Sequence, residues 1–494
     1  MSGVLTRRQV LFGLAGVGAV ATLGGCSRGG GNGVAVGPSA IAAAEAARAT
    51  TGQIRDLTLR ARKVQIDLGG KAVTTWAYGD SVPGTALRAT AGDRVRVAFR
   101  NDLPEATSVH WHGLAIRNDM DGVPGVTTPE VKPGDGFIFD FVVPDSGTHW
   151  FHPHTGLQLD RGLYAPFIID DPADRGGYDA EWIVVLDDWT DGVARSPQQI
   201  LSDLQAAGAS GSGNGMAGMN MGGSSSGMGG MDGGDVDYPL YLINGHPTND
   251  PETLNAKPGQ RVRLRIINAG SDTIFTLALG GHDLRVTHTD GYPTTPVTAT
   301  ALRIGMGERY DAIVTLKDGV FPLVAAPVGK TGLARALVRT ASGTVPAPTY
   351  RPNELGAYPL TADALQGGPG SALPKRDPDT VQDLVLGGSM GPYVWTINGR
   401  TYENTVPLTI RAGQAGRLRI RNHTMMPHPL HLHGHTFQIG AAGGSGPRKD
   451  TVLVPAMGSV AVDMVADNPG QWMIHCHNTY HAAAGMMTRL DYVT

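Results

Sequence analysis

At 494 residues the chain is long enough for about three domains of ordinary size. Its 70 glycines and 33 prolines, with 6% aromatic residues, read as turn-rich and strand-rich and set it apart from helical bundles. A formal charge of −4 gives no sign of a nucleic-acid partner, and two cysteines with separate roles, Cys26 and Cys476, make no disulfide framework.

The first 26 residues carry Arg7 and Arg8 ahead of an apolar stretch from Val10 onward. That stretch is short for a spanning helix, which needs about 20 apolar residues, so it reads as an export signal. Thr6-Arg7-Arg8-Gln9-Val10-Leu11 resembles a twin-arginine signal, and Leu23-Gly24-Gly25-Cys26 resembles a bacterial lipoprotein box. Cys26 would then be lipidated after cleavage, placing the protein in the cell envelope or outside the cell. An ordinary signal peptide with a chance cysteine is the alternative. Residues 27–54 are rich in Gly and Ala without strand-like alternation, and are expected to form a tether.

One pattern then occurs three times. Ala91-Gly92-Asp93-Arg94-Val95-Arg96-Val97 is echoed by Pro258-Gly259-Gln260-Arg261-Val262-Arg263-Leu264 and by Ala412-Gly413-Gln414-Ala415-Gly416-Arg417-Leu418-Arg419. Each is a turn followed by alternating charged and apolar residues and runs on to an asparagine, which predicts a half-buried strand. The spacing is domain-sized, so three copies of one β domain are expected: residues 55–172, residues 173–345, and residues 346–494 including a linker. Further strand-like runs cover residues 136–143 and 459–465, supporting β-sandwich units. Residues 196–207 open with Ser196-Pro197 and predict a short helix. Residues 208–237 form a Gly/Ser-rich insertion with Met216, Met219, Met221, Met228 and Met231 but no apolar periodicity, and are expected to be a loop. The Pro- and Gly-rich stretch 346–379 reads as a low-order connection.

Most of the 16 histidines fall into four short clusters: His110-Trp111-His112-Gly113, His149-Trp150-Phe151-His152-Pro153-His154, His428-Pro429-Leu430-His431-Leu432-His433-Gly434-His435, and His475-Cys476-His477 with His481. On a strand, alternation turns Cys476 to one face and both neighbouring imidazoles to the other. With His481, Met486 and a histidine from elsewhere, the thiolate would complete the two-histidine, one-thiolate, weak-thioether set of a blue-copper site. The His-x-His pairs supply more imidazoles than a four-coordinate zinc needs and suit copper. Residues 147–154 align without gaps on residues 470–477, placing Pro153 where Cys476 stands. The first and third repeats supply the pairs and the second supplies none, so a metal cluster is expected between domains 1 and 3, with domain 2 as a spacer.

These four motifs, in this order, resemble those of the multicopper oxidases, the family of laccases and of cuprous and ferrous oxidases; exported bacterial copper-tolerance members look nearest. The similarity covers residues 55–494. It implies an all-β protein of three cupredoxin-like Greek-key β-sandwich domains, acting as a monomer, with four copper ions. By the resemblance, His428, Cys476 and His481 bind the type 1 copper with Met486 as axial ligand. His110 and His431 hold the type 2 copper, and His112, His152, His154, His433, His475 and His477 hold the type 3 pair. His149 and His435 fall at non-ligand positions, and His246, His282, His288 and His423 lie outside the motifs.

The resemblance further implies that electrons pass from a reductant through Cys476, His475 and His477 to the cluster, where four reduce dioxygen to water. Asp121 matches an acid placed near the cluster; as a bare sequence feature it is equally a turn aspartate before glycine. Where many relatives carry an acid between the last two motif histidines, this chain has Asn478-Thr479-Tyr480. The methionines of the loop, with Met425 and Met426, point to Cu(I) as the reductant and to copper tolerance as the role. A laccase-type phenol oxidase, a ferroxidase, or a non-catalytic cupredoxin scaffold or copper store are the alternatives; the last would be expected to have lost ligands, and all are present.

Overall fold

The computed structural model describes residues 35–174, 176–209 and 233–494. The export signal, Cys26 and the five loop methionines lie outside the described residues. Six sheets pair into three sandwiches. The first joins two four-stranded sheets, the second a seven-stranded and a five-stranded sheet, and the third a six-stranded and a five-stranded sheet.

The repeated strand holds the same place in each. Arg94–Asn101 runs parallel to Ile54–Asp67 and antiparallel to Gly136–Val142. Arg261–Asn268 lies likewise between Ala180–Trp189 and Arg309–Thr315, and Ala415–Asn422 between Thr380–Met390 and Ser459–Val465. Each ends on a buried asparagine whose amide closes the next loop. Asn101 Nδ2 donates to Glu105 O and Val131 O at 2.8 Å, Asn268 Nδ2 to Thr273 O at 2.9 Å, and Asn422 Nδ2 to Met426 O at 2.6 Å. Leaving such a buried amide unpaired would cost about 1–3 kcal/mol, which is why the polar residue sits at the strand end. The Asn422 loop leads directly into the His428 motif.

The second copy departs from the half-buried pattern. Arg263 and Arg265 are buried, because the first sandwich covers that face. Arg263 pairs with Asp311 at 2.5 Å, and Arg265 Nη1 donates to Thr148 Oγ1 of the first sandwich at 2.9 Å.

The expected tether is also more than a tether in its described part. Pro38–Ala46 is a helix beginning with proline at its first turn, a position that needs no N–H. Val36 N donates to Tyr492 O at 3.1 Å, Glu45 Oε1 accepts from Val142 N at 2.8 Å, and Arg48 donates to Asn468 at 3.1 Å, so the segment clasps the first and third sandwiches. Alanine periodicity too weak to bury a face hid this helix. The second helix, Pro197–Ala209, is entered through a capping box: Ser196 N donates to Gln199 Oε1 at 2.8 Å and Gln199 N to Ser196 Oγ at 3.3 Å. The linker is pinned to the second sandwich by bridges at Leu302↔Leu360 and Thr294↔Gly367.

The apolar core of the second sandwich continues into the third, joining Phe275 and Leu277 to Trp395, Cys476 and Met486. A smaller cluster with Trp150, Trp189 and Leu242 seals the first sandwich to the second. Among the described residues no helix is long and apolar enough to cross a membrane.

Candidate metal centre

Two strand pairs carry the motifs. His110–His112 pairs antiparallel with Gly147–His152, placing His110 opposite His152. His428–Leu432 pairs with Gln471–Cys476, placing His431 opposite His475 and Leu430 opposite Cys476. Alternation then does what the sequence predicts: Cys476 enters the apolar core of the third sandwich while His475 and His477 face the first.

Around the thiol, Cys476 Sγ lies 3.7 Å from His428 Nδ1 and 3.7 Å from His481 Nδ1, and the two nitrogens are 3.1 Å apart. All three residues are fully buried. Met486 is buried in the same core, and its backbone ties the loop closed: Cys476 N donates to Met486 O at 3.0 Å and Met486 N to His481 O at 2.9 Å. His428 Nε2 lies 2.7 Å from Thr424 Oγ1 and His481 Nε2 lies 2.9 Å from Asp235 Oδ2, so both rings turn Nδ1 toward the sulfur. Burial lowers His428. Burial would lower His481 too, but the Asp235 carboxylate and Cys476 raise it to about 10. The field at this point calls for a positive charge, which a metal ion supplies without a proton.

At the boundary of the first and third sandwiches eight further imidazoles converge. Ligand atoms of His110, His431 and His433 lie within 4.8 Å of one another, as do those of His110, His112 and His152 and those of His154, His433 and His475. His433 Nε2 is 3.0 Å and His154 Nε2 3.2 Å from His475 Nε2, and His477 Nε2 is 3.2 Å from His112 Nδ1. The outer nitrogens fix the tautomers. His110 Nδ1 donates to Asp121 O, His431 Nδ1 to Asp450 O and His475 Nδ1 to Cys476 O, each at 2.9 Å, and His152 Nδ1 donates to Pro153 O at 3.0 Å. His433 Nδ1 donates to Asp121 Oδ2 at 2.9 Å.

Nε2 lone pairs are therefore aimed at one another, and those of His110, His152 and His431 are buried without a partner. At six of the eight rings protonation is no remedy: burial lowers His112, His152, His154, His433 and His477 and takes His475 to about 3. Neutral imidazoles with converging, unsatisfied lone pairs fit metal ions, and the imidazole-thiolate donor set fits copper.

The residues outside these groups behave as packed side chains. Burial takes His149 to about 3, and His435 spans His433 O at 3.1 Å and the Tyr492 hydroxyl at 2.6 Å. His246 is half-buried, His423 is exposed, and His282 packs edge-on against Phe321. Asp121 stands on the far side of the imidazoles from the cluster, accepting from His433 with one oxygen and lying 3.2 Å from His110 Nδ1 with the other.

Three residues escaped the sequence reading. Asp235, next to the methionine-rich stretch, holds His481; Asp450 holds His112 Nε2 at 3.1 Å; and Arg309 of the second sandwich grips Asp450. The second sandwich is thus not only a spacer. The sole sequence hint was that Lys449-Asp450 and Glu308-Arg309 put charge where strands should be apolar.

The family description Multicopper oxidase matches residues 60–174, 180–343 and 375–493, and the chain belongs to the multicopper oxidase family: copper enzymes, oxidoreductases with oxygen as acceptor. Among its relatives, the Multicopper oxidase MmcO of Mycobacterium tuberculosis is 50% identical over 92% of this chain and 90% of its own length. Copper resistance protein A of Escherichia coli is 27% identical over 87% of this chain and 91% of its own. In fold the chain resembles Fet3p, titled a multicopper oxidase that functions in iron import (TM-score 0.77, 20% identity, 89% of this chain and 90% of that one), and the laccase from Botrytis aclada (TM-score 0.72, 26% identity, 90% and 88%).

Proposed function

We propose that this chain is a cuprous oxidase that couples the oxidation of Cu(I) to the reduction of dioxygen to water and serves copper tolerance. It would act as an exported monomer, anchored through a lipid on Cys26. In this reading His428, Cys476, His481 and Met486 hold a type 1 copper, His110 and His431 a type 2 copper, and His112, His152, His154, His433, His475 and His477 a type 3 pair. When bound, these four copper ions supply the one-electron and four-electron redox chemistry. The chain's own part is to keep the six type 3 imidazoles neutral by burial, to fix tautomers through Asp121, Asp450 and backbone carbonyls, and to exclude water from Cys476. Cys476 is bonded through the backbone to both His475 and His477, so one strand joins the two centres. Asp121, which accepts from His433 Nδ1 at 2.9 Å, is the proposed proton-handling group.

The observation that carries Cu(I) is the sequence just ahead of Asp235. In the sequence, five thioethers at residues 216–231, soft donors suited to Cu(I), precede the carboxylate that holds His481 at 2.9 Å. The relatives named copper resistance proteins support the same role. Of the alternatives, a laccase-type phenol oxidase or a ferroxidase, Asp235 favours the ferroxidase, since a carboxylate beside the thiolate site is what Fe(II), a hard cation, would need.

Oxygen uptake by the copper-loaded protein with Cu(I), Fe(II) and a phenol, side by side, tests the choice. Cu(I) is expected to give the highest kcat/KM; a higher value for either other donor overturns the reading. Deleting residues 213–233 is expected to depress Cu(I) oxidation selectively, and unchanged Cu(I) oxidation removes the loop from it.

A further inference from the structure

The second sandwich carries no cluster histidine, yet one of its turns is part of the cluster wall. Between Leu302–Ile304 and Arg309–Thr315, Gly307 lies so close that a Cβ there would sit 2.8 Å from His477 Cδ2 and 3.0 Å from His112 Cε1. Two residues on, Arg309 is fully buried and reaches all three sandwiches. Its Nε donates to Thr148 O at 3.1 Å, on the strand that carries His152, and its Nη1 to Gly307 O at 3.0 Å. Nη1 and Nη2 then grip Asp450 Oδ1 and Oδ2 at 2.7 and 2.5 Å, a fork that a lysine cannot reproduce.

Asp450 faces the cluster. It accepts from His112 Nε2 at 3.1 Å, lies 3.4 Å from His431 Nδ1, and accepts from Thr451 Oγ1 at 2.8 Å. The neighbouring cation, Lys449, is engaged elsewhere, 3.1 Å from Asp290 and 3.2 Å from Glu308, so Arg309 is the cation that compensates Asp450. The first motif is built around this pair. Gly113 has φ +82°, and a Cβ on it would fall 2.3 Å from Arg309 Nη2 and 2.7 Å from Asp450 Oδ2.

His112 is the exception among the fixed imidazoles. His110, His152, His431, His433 and His475 donate from Nδ1 and turn Nε2 inward, whereas His112 donates from Nε2 and turns Nδ1 inward, 3.2 Å from His477 Nε2. The reversal is imposed by Asp450 together with Thr451, whose Oγ1 lies 3.2 Å from the same His112 Nε2 and is itself oriented by donating to Asp450 Oδ1. We propose that Arg309 is a positioning residue for the cluster: by holding Asp450 it fixes His112 in the tautomer that offers Nδ1, so that the second sandwich controls copper loading between the first and third. The inference rests on the copper reading above and concerns only which residue sets one ligand.

Two variants of the full chain test it. Arg309→Lys keeps the charge and loses the fork. Arg309→Met combined with Asp450→Leu removes the pair together; Asp290, 3.5 Å from Arg309 Nη1, keeps Lys449 at 3.1 Å, so no buried charge is left without a partner and stability commonly stays near the parent. Copper affinity and copper per chain, the type 2 EPR spectrum, and thermal unfolding of the copper-free protein are measured, with the blue absorption of the thiolate site as internal reference. In the double variant the blue absorption and the copper-free unfolding midpoint are expected to stay near the parent. Copper affinity of the cluster is expected to fall about 10- to 100-fold, with an altered type 2 spectrum; Arg309→Lys should show the same change in smaller measure. Parental cluster affinity and EPR spectrum in both variants would overturn the proposal. So would a loss of cluster copper matched by equal losses of blue absorption and copper-free stability in both, which would make the pair inter-domain glue alone. A parent protein with neither blue absorption nor a type 2 signal would instead strike down the copper reading itself.

Discussion

Asn478 can be changed to weaken the closure of the thiolate site without removing a side chain that faces the sulfur. Its Oδ1 caps the helix Thr479–Ala483, accepting from Tyr480 N at 3.0 Å and His481 N at 3.2 Å, and its Nδ2 donates to Asp272 Oδ1 at 2.6 Å. Asp272 is a buried hub that also takes Lys330 Nζ at 2.6 Å and the backbone N–H groups of Asp235 and Val236 at 3.0 and 2.9 Å. The amide therefore ties the His481 loop to the segment that carries Asp235. Asn478→Ala removes a cap worth about 1 kcal/mol and a hydrogen bond to a charged acceptor worth about 1.5–3 kcal/mol, together about 3 kcal/mol. Asn478→Asp keeps the cap but turns a second carboxylate on Asp272. Two like charges about 3 Å apart repel by about 5 kcal/mol at an effective dielectric constant of about 20, so Asp is expected to cost more than Ala. Denaturant unfolding of the copper-free chain reads the order, with parent above Ala and Ala above Asp. An Asp variant as stable as the Ala variant, or more so, would show that the contact with Asp272 does not hold the loop, and the reasoning would fail.

The buried cluster beside this loop gives a pH prediction. Burial, then the carboxylates of Asp188 and Asp187, raise Asp160, which accepts from the Tyr480 hydroxyl at 2.5 Å. The folded protein thus keeps a proton that the unfolded chain releases near the ordinary carboxylate value. The stability this contributes is complete below that value and is lost as pH rises through the raised one. Asp160→Asn is expected to flatten the fall in unfolding midpoint as pH rises above the ordinary carboxylate range; an unchanged slope would exclude Asp160 as the titrating group. Gly122 has φ +91°, and a Cβ there would lie 1.7 Å from Val109 O, next to His110, whereas Gly125 at φ +74° has open space around its Cβ position. Gly122→Ala should cost about 3 kcal/mol or more, from left-handed strain plus overlap, and Gly125→Ala about 1–2. Equal unfolding midpoints for the two would contradict the packing described at Asp121. Cys476→Ser is expected to abolish the blue absorption and turnover together; retained turnover would contradict a path through the sulfur.

The residues that converge on the two centres were legible because they are locally clustered. Two histidines two apart on one strand share a face whatever the rest of the fold does, so His110 and His112 or His475 and His477 needed no tertiary information. The three sandwiches were legible for the same reason, from the alternation in residues 94–101 and its echoes. What escaped is set by contacts between distant segments. Asp235 and His481, or Arg309 and Asp450, are single charged residues whose partners lie in another sandwich, and no local period marks them. Arg263 and Arg265 alternate as a solvent-facing strand should, and only the covering first sandwich makes them buried. Residues 38–46 lack the apolar stripe that announces a docked helix; Glu45 and Arg48 hold it by polar contacts instead.

Anomalous X-ray diffraction from crystals of the copper-loaded protein, collected at the copper absorption edge, tests the central claim most directly. The account predicts one peak enclosed by His428, Cys476 and His481, and three more among the eight histidines shared by the first and third sandwiches. Peaks elsewhere with these positions blank, or a thiolate site filled beside an unfilled histidine cluster at saturating copper, would contradict it.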